Sequence, residues 1–318
     1  MKIQKLLVCG ATGFIGRNIA EAFAQSDDFE VFGTYLNSEP LDNPKIKMIQ
    51  SDLTDKDDVN RTINDMDIII QAAATTSGVR DIINRPYYHV TDNALMNSLI
   101  FRVAFENKVS HVVFFSCTVM YQSSATPIKE TDFDANMEIY PSYFGVGWTK
   151  VYIEKMCEFY SRVGKTKYTV IRHSNIYGPY DKYDLEKSHV FGATMTKIMT
   201  AKDGDNIVVW GNGEEERDLL YVSSLVDFVE LAIRKQKTVY ELYNVGYGSS
   251  VSVSDLVKKI IYHSDKDLRI LYDTNKPSLE TKICLDTNRA RRLLGWSPKT
   301  SFDEGVQNTM EWYRANIC

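Results

Sequence analysis

The chain has 318 residues, 44% of them hydrophobic and 25% charged, enough to bury a large core in one or two domains. A net charge of −5 leaves no polybasic footprint, which argues against nucleic acid and anionic membrane as partners. Apolar runs are strand-sized, too short to span a bilayer, and Met-Lys-Ile-Gln-Lys leads straight into a strand with no room for a signal peptide, so a cytoplasmic protein is expected. The five cysteines form no Cys-x-x-Cys pair; Cys9, Cys157, Cys284 and Cys318 read as reduced thiols, and no metal site is expected.

Taken in order, Leu6–Cys9 reads as a strand running into Gly10-Ala-Thr-Gly-Phe-Ile-Gly16, followed by an amphipathic helix over Phe14–Gln25. This is the pattern of a pyrophosphate cradle. Gly10 makes the tight turn, Gly13 lets backbone approach the phosphates, and Gly16 lets the helix pack closely while its N-terminus faces the anion. Thr12, Phe14 and Ile15 complete that loop. Strands are then predicted at Glu30–Thr34, Lys47–Gln50, Ile68–Ala72, His111–Ser116 and Thr169–Arg172. Helices alternate with them near Asp55–Asn64, Pro86–Asn107 and Thr149–Val163. The alternation predicts an α/β fold, a Rossmann-type doubly wound parallel sheet with ligands at the carboxyl ends of its strands.

After Arg172 the rhythm breaks. A helix near Phe191–Ala201, a strand at Ile207–Trp210 and helices near Ser223–Arg234, Ser252–His263 and Phe302–Asn316 suit a smaller C-terminal α/β substrate lobe. The expected division assigns residues 1–172, with about 220–250, to dinucleotide binding, and 173–219 with 251–318 to that lobe.

On the nucleotide side, Asp52-Leu53 suits adenine, with an N-cap role for Asp52 equally open. Ala72, Ala73 and Ala74 are small enough for close passage of a dinucleotide, or for simple close packing. The second strand ends in Thr34, Tyr35, Leu36 and Asn37, with neither the acid that marks NAD nor the Arg that marks NADP; lacking acid repulsion, NADP(H) is favoured over NAD(H).

These residues, with Ser116–Tyr121, Lys150, Asn175-Ile-Tyr-Gly-Pro179, Arg217-Asp218 and Tyr243-Asn-Val-Gly246, resemble the extended short-chain dehydrogenase/reductases over essentially the whole length. This is the nucleotide-sugar epimerase/dehydratase/reductase family. Ala72–Ala74 through Asn84-Arg-Pro86, Lys150 through Glu158, Asn175 through Val190 and Val208–Gly213 resemble its members that epimerise and reduce GDP-4-keto-6-deoxy sugars. The resemblance implies a nicotinamide cofactor, a GDP-linked sugar, a homodimer built on a four-helix seam of Pro86–Asn107 and Thr149–Val163, and a Tyr four residues before Lys150 as proton carrier.

The chain departs from that pattern at its centre. Val146 occupies the tyrosine's place and cannot transfer a proton. Tyr143 lies seven residues before Lys150, about 10 Å along a regular helix, so only an irregular start near Gly145 and Gly147 brings it into play. Cys117 fills the usual Ser/Thr seat, as weak acid or as a small buried filler, with Thr118 beside it. By the resemblance, His189 matches the epimerisation histidine, or else caps a surface helix, whereas Val119 replaces the matching cysteine. Asn175, Lys197, Trp210, Arg217 and Lys282 match substrate-binding positions; ion pairs for the lysines and core packing for Trp210 are the alternatives. Glu214–Glu216 reads as a solvated loop. Three functions stay open: a reductase/epimerase, an epimerase or dehydrogenase with retained cofactor, and a catalytically silent NAD(P)-binding partner or sensor.

Overall fold

The structure, a computed structural model, describes residues 3–75, 86–185, 188–276 and 282–317. Asn84 and Arg85 of the family-like segment, and Cys318, lie outside the described residues.

The first half alternates as its apolar periodicity demands. β1 (Gln4–Cys9), α1 (Phe14–Phe23), β2 (Phe29–Tyr35), β3 (Ile46–Gln50), α2 (Lys56–Ile63) and β4 (Ile68–Gln71) are followed by α3 (Pro86–Glu106), β5 (His111–Phe115), α4 (Phe144–Val163) and β6 (Lys167–His173). With β10 (Tyr240–Val245) these strands form one parallel sheet in the order β10-β6-β5-β4-β1-β2-β3. Both faces are buried: Leu6 and Val8 enter a core shared with Ile19 and Phe228, while Leu7 and Cys9 face Ile100, Phe101 and Ile153. Connection order reverses between β1 and β4, which opens the ligand crevice at their carboxyl ends.

The second half contains β7 (Asn175–Tyr177), α5 (Val190–Thr200), β8 (Asn206–Trp210), β9 (Glu216–Tyr221), α6 (Val222–Lys235), β11 (Ser250–Ser252), α7 (Val253–Ser264), β12 (Arg269–Asp273), β13 (Lys282–Ile283), α8 (Asn288–Leu294) and α9 (Phe302–Asn316). A small sheet is built around β9, which pairs with β7, β11 and β13, and β8 pairs with β12. Tyr177, Phe191, Leu219, Leu256 and Met310 make its core. Ala290, Leu294 and Trp296 follow β13 in sequence yet pack into the core of the large sheet, where the Trp296 indole donates to the Ser224 carbonyl at 3.0 Å.

Some local expectations are corrected. The fourth helix starts at Phe144 rather than near Thr149, after a 3-10 turn over Pro141–Tyr143. The acidic run is not a solvated loop: Glu215 is buried and Glu216 opens β9, where Ser250 Oγ and Lys282 Nζ donate to it. Trp210 is no core residue; it is 54% exposed, with Lys276 Nζ 5.8 Å from its ring centre.

Candidate active site

The glycine loop has the geometry of a dinucleotide cradle. Gly10 has a φ of +74°, and a Cβ there would stand 2.8 Å from Ala73 Cα, so small residues are required just past the ends of both β1 and β4. A Cβ on Gly16 would overlap the Gly10 carbonyl, which fixes how closely α1 approaches the turn. Gly13 is the N-cap of α1 and supplies no side-chain cap, leaving the first-turn N–H groups to an anion. Buried Thr34 braces the loop by accepting from Gly10 N–H at 2.8 Å, and Ser38 Oγ donates to Thr12 Oγ1 at 2.7 Å. The residues present fit a dinucleotide.

Asp52 does not cap α2. That role falls to Asp55, which accepts from the Asp57 and Asp58 amides, while Asp52 Oδ1 takes both the Thr54 amide and its hydroxyl. Leu53 is buried with Val59 and Ile63, so only Asp52 of that pair offers a polar group outward.

A row of reactive side chains begins at the ends of β5 and β6. Lys150 Nζ donates to the Phe115 carbonyl at 2.8 Å and lies 4.8 Å from the Phe114 ring centre. Burial lowers its pKa, against the pull of Cys117 and Glu154. Cys117, on the loop after β5, packs with Tyr143 against Met120, Ile139 and Val151. Burial pushes its thiol up, while Lys150 and the Val119 amide pull it down. The Tyr143 phenol is raised by burial and lowered by the Arg217 charge across from it. Arg217 is held in turn by the Glu216 carbonyl at 2.8 Å and feels Glu215 and Tyr143. Lys150, Cys117, Tyr143 and Arg217 thus follow one another from the large sheet to the small one.

Sequence reasoning missed His173. Its ring lies 6.1 Å from that of Phe115, its Nδ1 is 2.8 Å from the Ser174 carbonyl, and burial, Lys150 and His189 hold it neutral, with a pKa lowered to about 4. Its position directly before Ser174-Asn175 was the available signal. His189 stands at the N-cap of α5, exposed, and makes no side-chain cap, so the capping role is set aside.

Beneath this row runs a buried polar network. Ser116 Oγ donates to Glu154 Oε1 at 2.5 Å, and Arg172 donates to both Glu154 oxygens, Nε at 2.9 Å and Nη2 at 2.6 Å. Arg172 Nη1 reaches the Tyr121 hydroxyl at 2.9 Å, which donates to Asn244 at 2.8 Å. The loop carrying Cys117 and Thr118 is therefore anchored at both ends, with the Thr118 carbonyl closing a turn onto Tyr121 N–H at 3.0 Å.

Other expected ligands are placed differently. Asn175 Nδ2 turns to the Asp218 carbonyl at 3.4 Å, and Lys197 Nζ to the Val208 carbonyl at 3.2 Å. Lys282 pairs with Glu216 at 3.0 Å, next to Arg217 in sequence but on the opposite face by strand alternation. From α1, Asn18 Nδ2 donates to the Pro179 carbonyl at 2.9 Å, and the Arg17 guanidinium lies 3.8 Å over the Tyr180 ring.

A doubly wound parallel sheet with this glycine turn defines a Rossmann-type dinucleotide-binding protein. The chain belongs to the NAD dependent epimerase/dehydratase family, whose profile matches residues 6–246. It is 26% identical over 313 residues to GDP-L-colitose synthase of Yersinia pseudotuberculosis, covering 98% of each chain. To GDP-L-fucose synthase of Escherichia coli K12 it is 25% identical, covering 99% of this chain and 98% of the other. A UDP-glucose 4-epimerase structure from Thermotoga maritima, solved with UDP-glucose, shares the fold with a TM-score of 0.88 at 24% identity, covering 99% of this chain and 100% of the other. Among the described residues no helix is long and apolar enough to cross a membrane, and no cluster of His, Cys, Asp and Glu could hold a metal ion.

Proposed function

We propose that the chain is an NAD(P)-dependent nucleotide-sugar reductase/epimerase acting on a GDP-4-keto-6-deoxyhexose or a closely related sugar. One observation carries this reading: a row of Lys150, Cys117, Tyr143 and Arg217 leads from the large sheet to a guanidinium suited to a diphosphate. The names of the relatives point to GDP-linked deoxysugars. Gly10, Thr12, Gly13, Phe14, Ile15 and Gly16 would hold the cofactor, with Asp52 and Ala72–Ala74 beside it. Bound there, the nicotinamide would supply hydride to the sugar carbonyl. Lys150 would orient its ribose and Arg217 would hold the diphosphate, whereas Lys197 and Asn175 would first have to leave the Val208 and Asp218 carbonyls to join it, and His189 is the exposed histidine offered to the sugar. NADP(H) is favoured because no acid follows Thr34 at the end of β2.

The test is direct. Purified protein is supplied with NADPH or NADH and GDP-4-keto-6-deoxymannose, with UDP-glucose as the comparison, and cofactor absorbance is followed. Turnover of the GDP sugar that Lys150→Ala abolishes is expected. Brisk turnover unaffected by Lys150→Ala, or turnover of UDP-glucose alone, refutes the assignment. Val146 supports a second reading, a silent dinucleotide-binding partner, which predicts tight cofactor binding with no turnover.

We also propose a homodimer through the outer faces of α3 and α4, where Leu95, Tyr152, Phe159 and Val163 are exposed. Phe159→Arg should leave a monomer in light scattering; an unchanged dimer would place the interface elsewhere.

A further inference from the structure

Reduction of a sugar carbonyl needs a proton at oxygen as well as hydride at carbon, and Val146, one turn before Lys150, has none to give. Several groups with transferable protons stand near. His173 is neutral, and its Nδ1 is engaged with the Ser174 carbonyl. His189 is exposed at the start of α5. The Cys117 thiol is pushed up by burial and has the Val119 amide against its sulfur.

Tyr143 is placed differently from all of these. It lies outside the regular helix, at the N-cap of α4, with φ −106° and ψ 4° at the end of the 3-10 turn. Its ring is therefore not carried along the helix surface, and it packs beside Cys117 in the cluster formed by Met120, Ile139 and Val151. Two glycines make the close packing possible: a Cβ on Gly145 would stand 2.9 Å from Val90 Cγ2, and one on Gly147 2.9 Å from Ile139 Cδ1. Arg217, from the small sheet, presents its charge to the phenol. The phenol is thus bracketed by the loop at the cofactor end and the guanidinium at the diphosphate end, where the sugar of a nucleotide sugar must lie.

Resting on the function proposed above, we propose that Tyr143 is the catalytic acid of this site, with Arg217 rather than Lys150 as the cation beside its phenol. A reduced nicotinamide dinucleotide held in the glycine cradle would supply the hydride for the new C–H bond at the carbonyl carbon, being oxidised in turn. The phenol O–H bond breaks as its proton passes to the carbonyl oxygen, leaving an alcohol and a phenolate. The phenolate takes a proton back from water, and Arg217 lowers the cost of the interval between.

The variants are Tyr143→Phe, the relocation double variant Tyr143→Phe/Val146→Tyr, and Arg217→Met. Circular dichroism and dinucleotide fluorescence titration establish that Tyr143→Phe folds and binds cofactor as the parent does. Its kcat should fall about 10²- to 10³-fold, and the alkaline limb of the kcat profile should disappear. The double variant should recover at least roughly tenfold of that loss, since the phenol is restored one turn later. A second readout needs no turnover: near-UV absorbance, differenced against Tyr143→Phe, follows the one phenol as it ionises. Arg217→Met should move that ionisation to higher pH. Undiminished kcat in Tyr143→Phe, a retained alkaline limb, or a phenol indifferent to Arg217→Met overturns the proposal and leaves the reductase reading standing. A wild-type protein that turns over none of the nucleotide sugars overturns both.

Discussion

Replacing Glu154 by Leu should destabilise the protein far more than an average substitution, and the size follows from what the carboxylate holds. Its side chain is 4% exposed and that of Arg172 5%. It accepts from Ser116 and twice from Arg172. Removing it leaves a buried guanidinium whose remaining hydrogen bonds, among the described residues, go to the Tyr121 hydroxyl and the Glu130 carbonyl. Breaking a buried pair from one side costs about 3–5 kcal/mol, because the remaining charge is uncompensated. In a chain of this size that corresponds to a fall of roughly 10 °C in Tm. Removing both charges, as Glu154→Leu/Arg172→Leu, should restore about 2–3 kcal/mol relative to the sum of the single changes. Urea denaturation followed by circular dichroism closes the cycle. Simple additivity of the two single variants, within about 0.5 kcal/mol, would show that the pair is not a unit and that the anchoring of the Cys117 loop has been misjudged.

Gly16→Ala should abolish measurable dinucleotide binding in a fluorescence titration and lower stability by about 1–3 kcal/mol, since the new methyl overlaps the Gly10 carbonyl; near-normal affinity would mean α1 can retreat without cost. Acid should destabilise the protein through His111, which is buried against Thr169 Oγ1 at 2.8 Å and lowered by burial and Lys167 to about 3. The unfolded chain binds this proton below its ordinary pKa of about 6.5 and the folded one does not. Stability is therefore full above that pH and falls by about 1.4 kcal/mol per pH unit on the way down. Asp181, raised by burial to about 7, has the opposite sign, its cost growing as pH rises toward neutrality. His111→Gln isolates the first effect: the difference in urea stability between it and the wild type should shrink as pH drops, and a constant difference would contradict the depressed pKa.

Features written into short-range spacing were legible before the structure was known. Gly10, Gly13 and Gly16 are separated by fixed steps, so the turn and the close helix follow from the absence of Cβ atoms alone. The apolar alternation of β1 through β6 likewise set the large sheet. What could not be read depends on partners far away in sequence. Glu215 is buried because β9 begins beside it, and Lys282 turns away from Arg217 because β13 pairs in the register that puts it level with Glu216. Asp52 reads as a cap only while the helix is taken to start at Asp55; its actual start at Lys56 gives that role to Asp55. The direction of Tyr143 needed the 3-10 turn, which a helical count from Lys150 cannot contain. Ser116, Glu154 and Arg172 come from three separate elements, and only the first two belong to segments that resemble the family's motifs.

The contact of Asn18 and Arg17 with Pro179 and Tyr180 has a thermodynamic consequence. Pro179 and Tyr180 rest on the first turns of the helix whose amino end is shaped for pyrophosphate. A ligand that fixes the start of α1 would thereby bias the residues it supports, and whatever factor it adds to a second ligand's affinity there would be returned to its own. Under the function proposed above, such coupling would appear as a dinucleotide affinity that rises in the presence of the sugar nucleotide, by the same factor as the reverse.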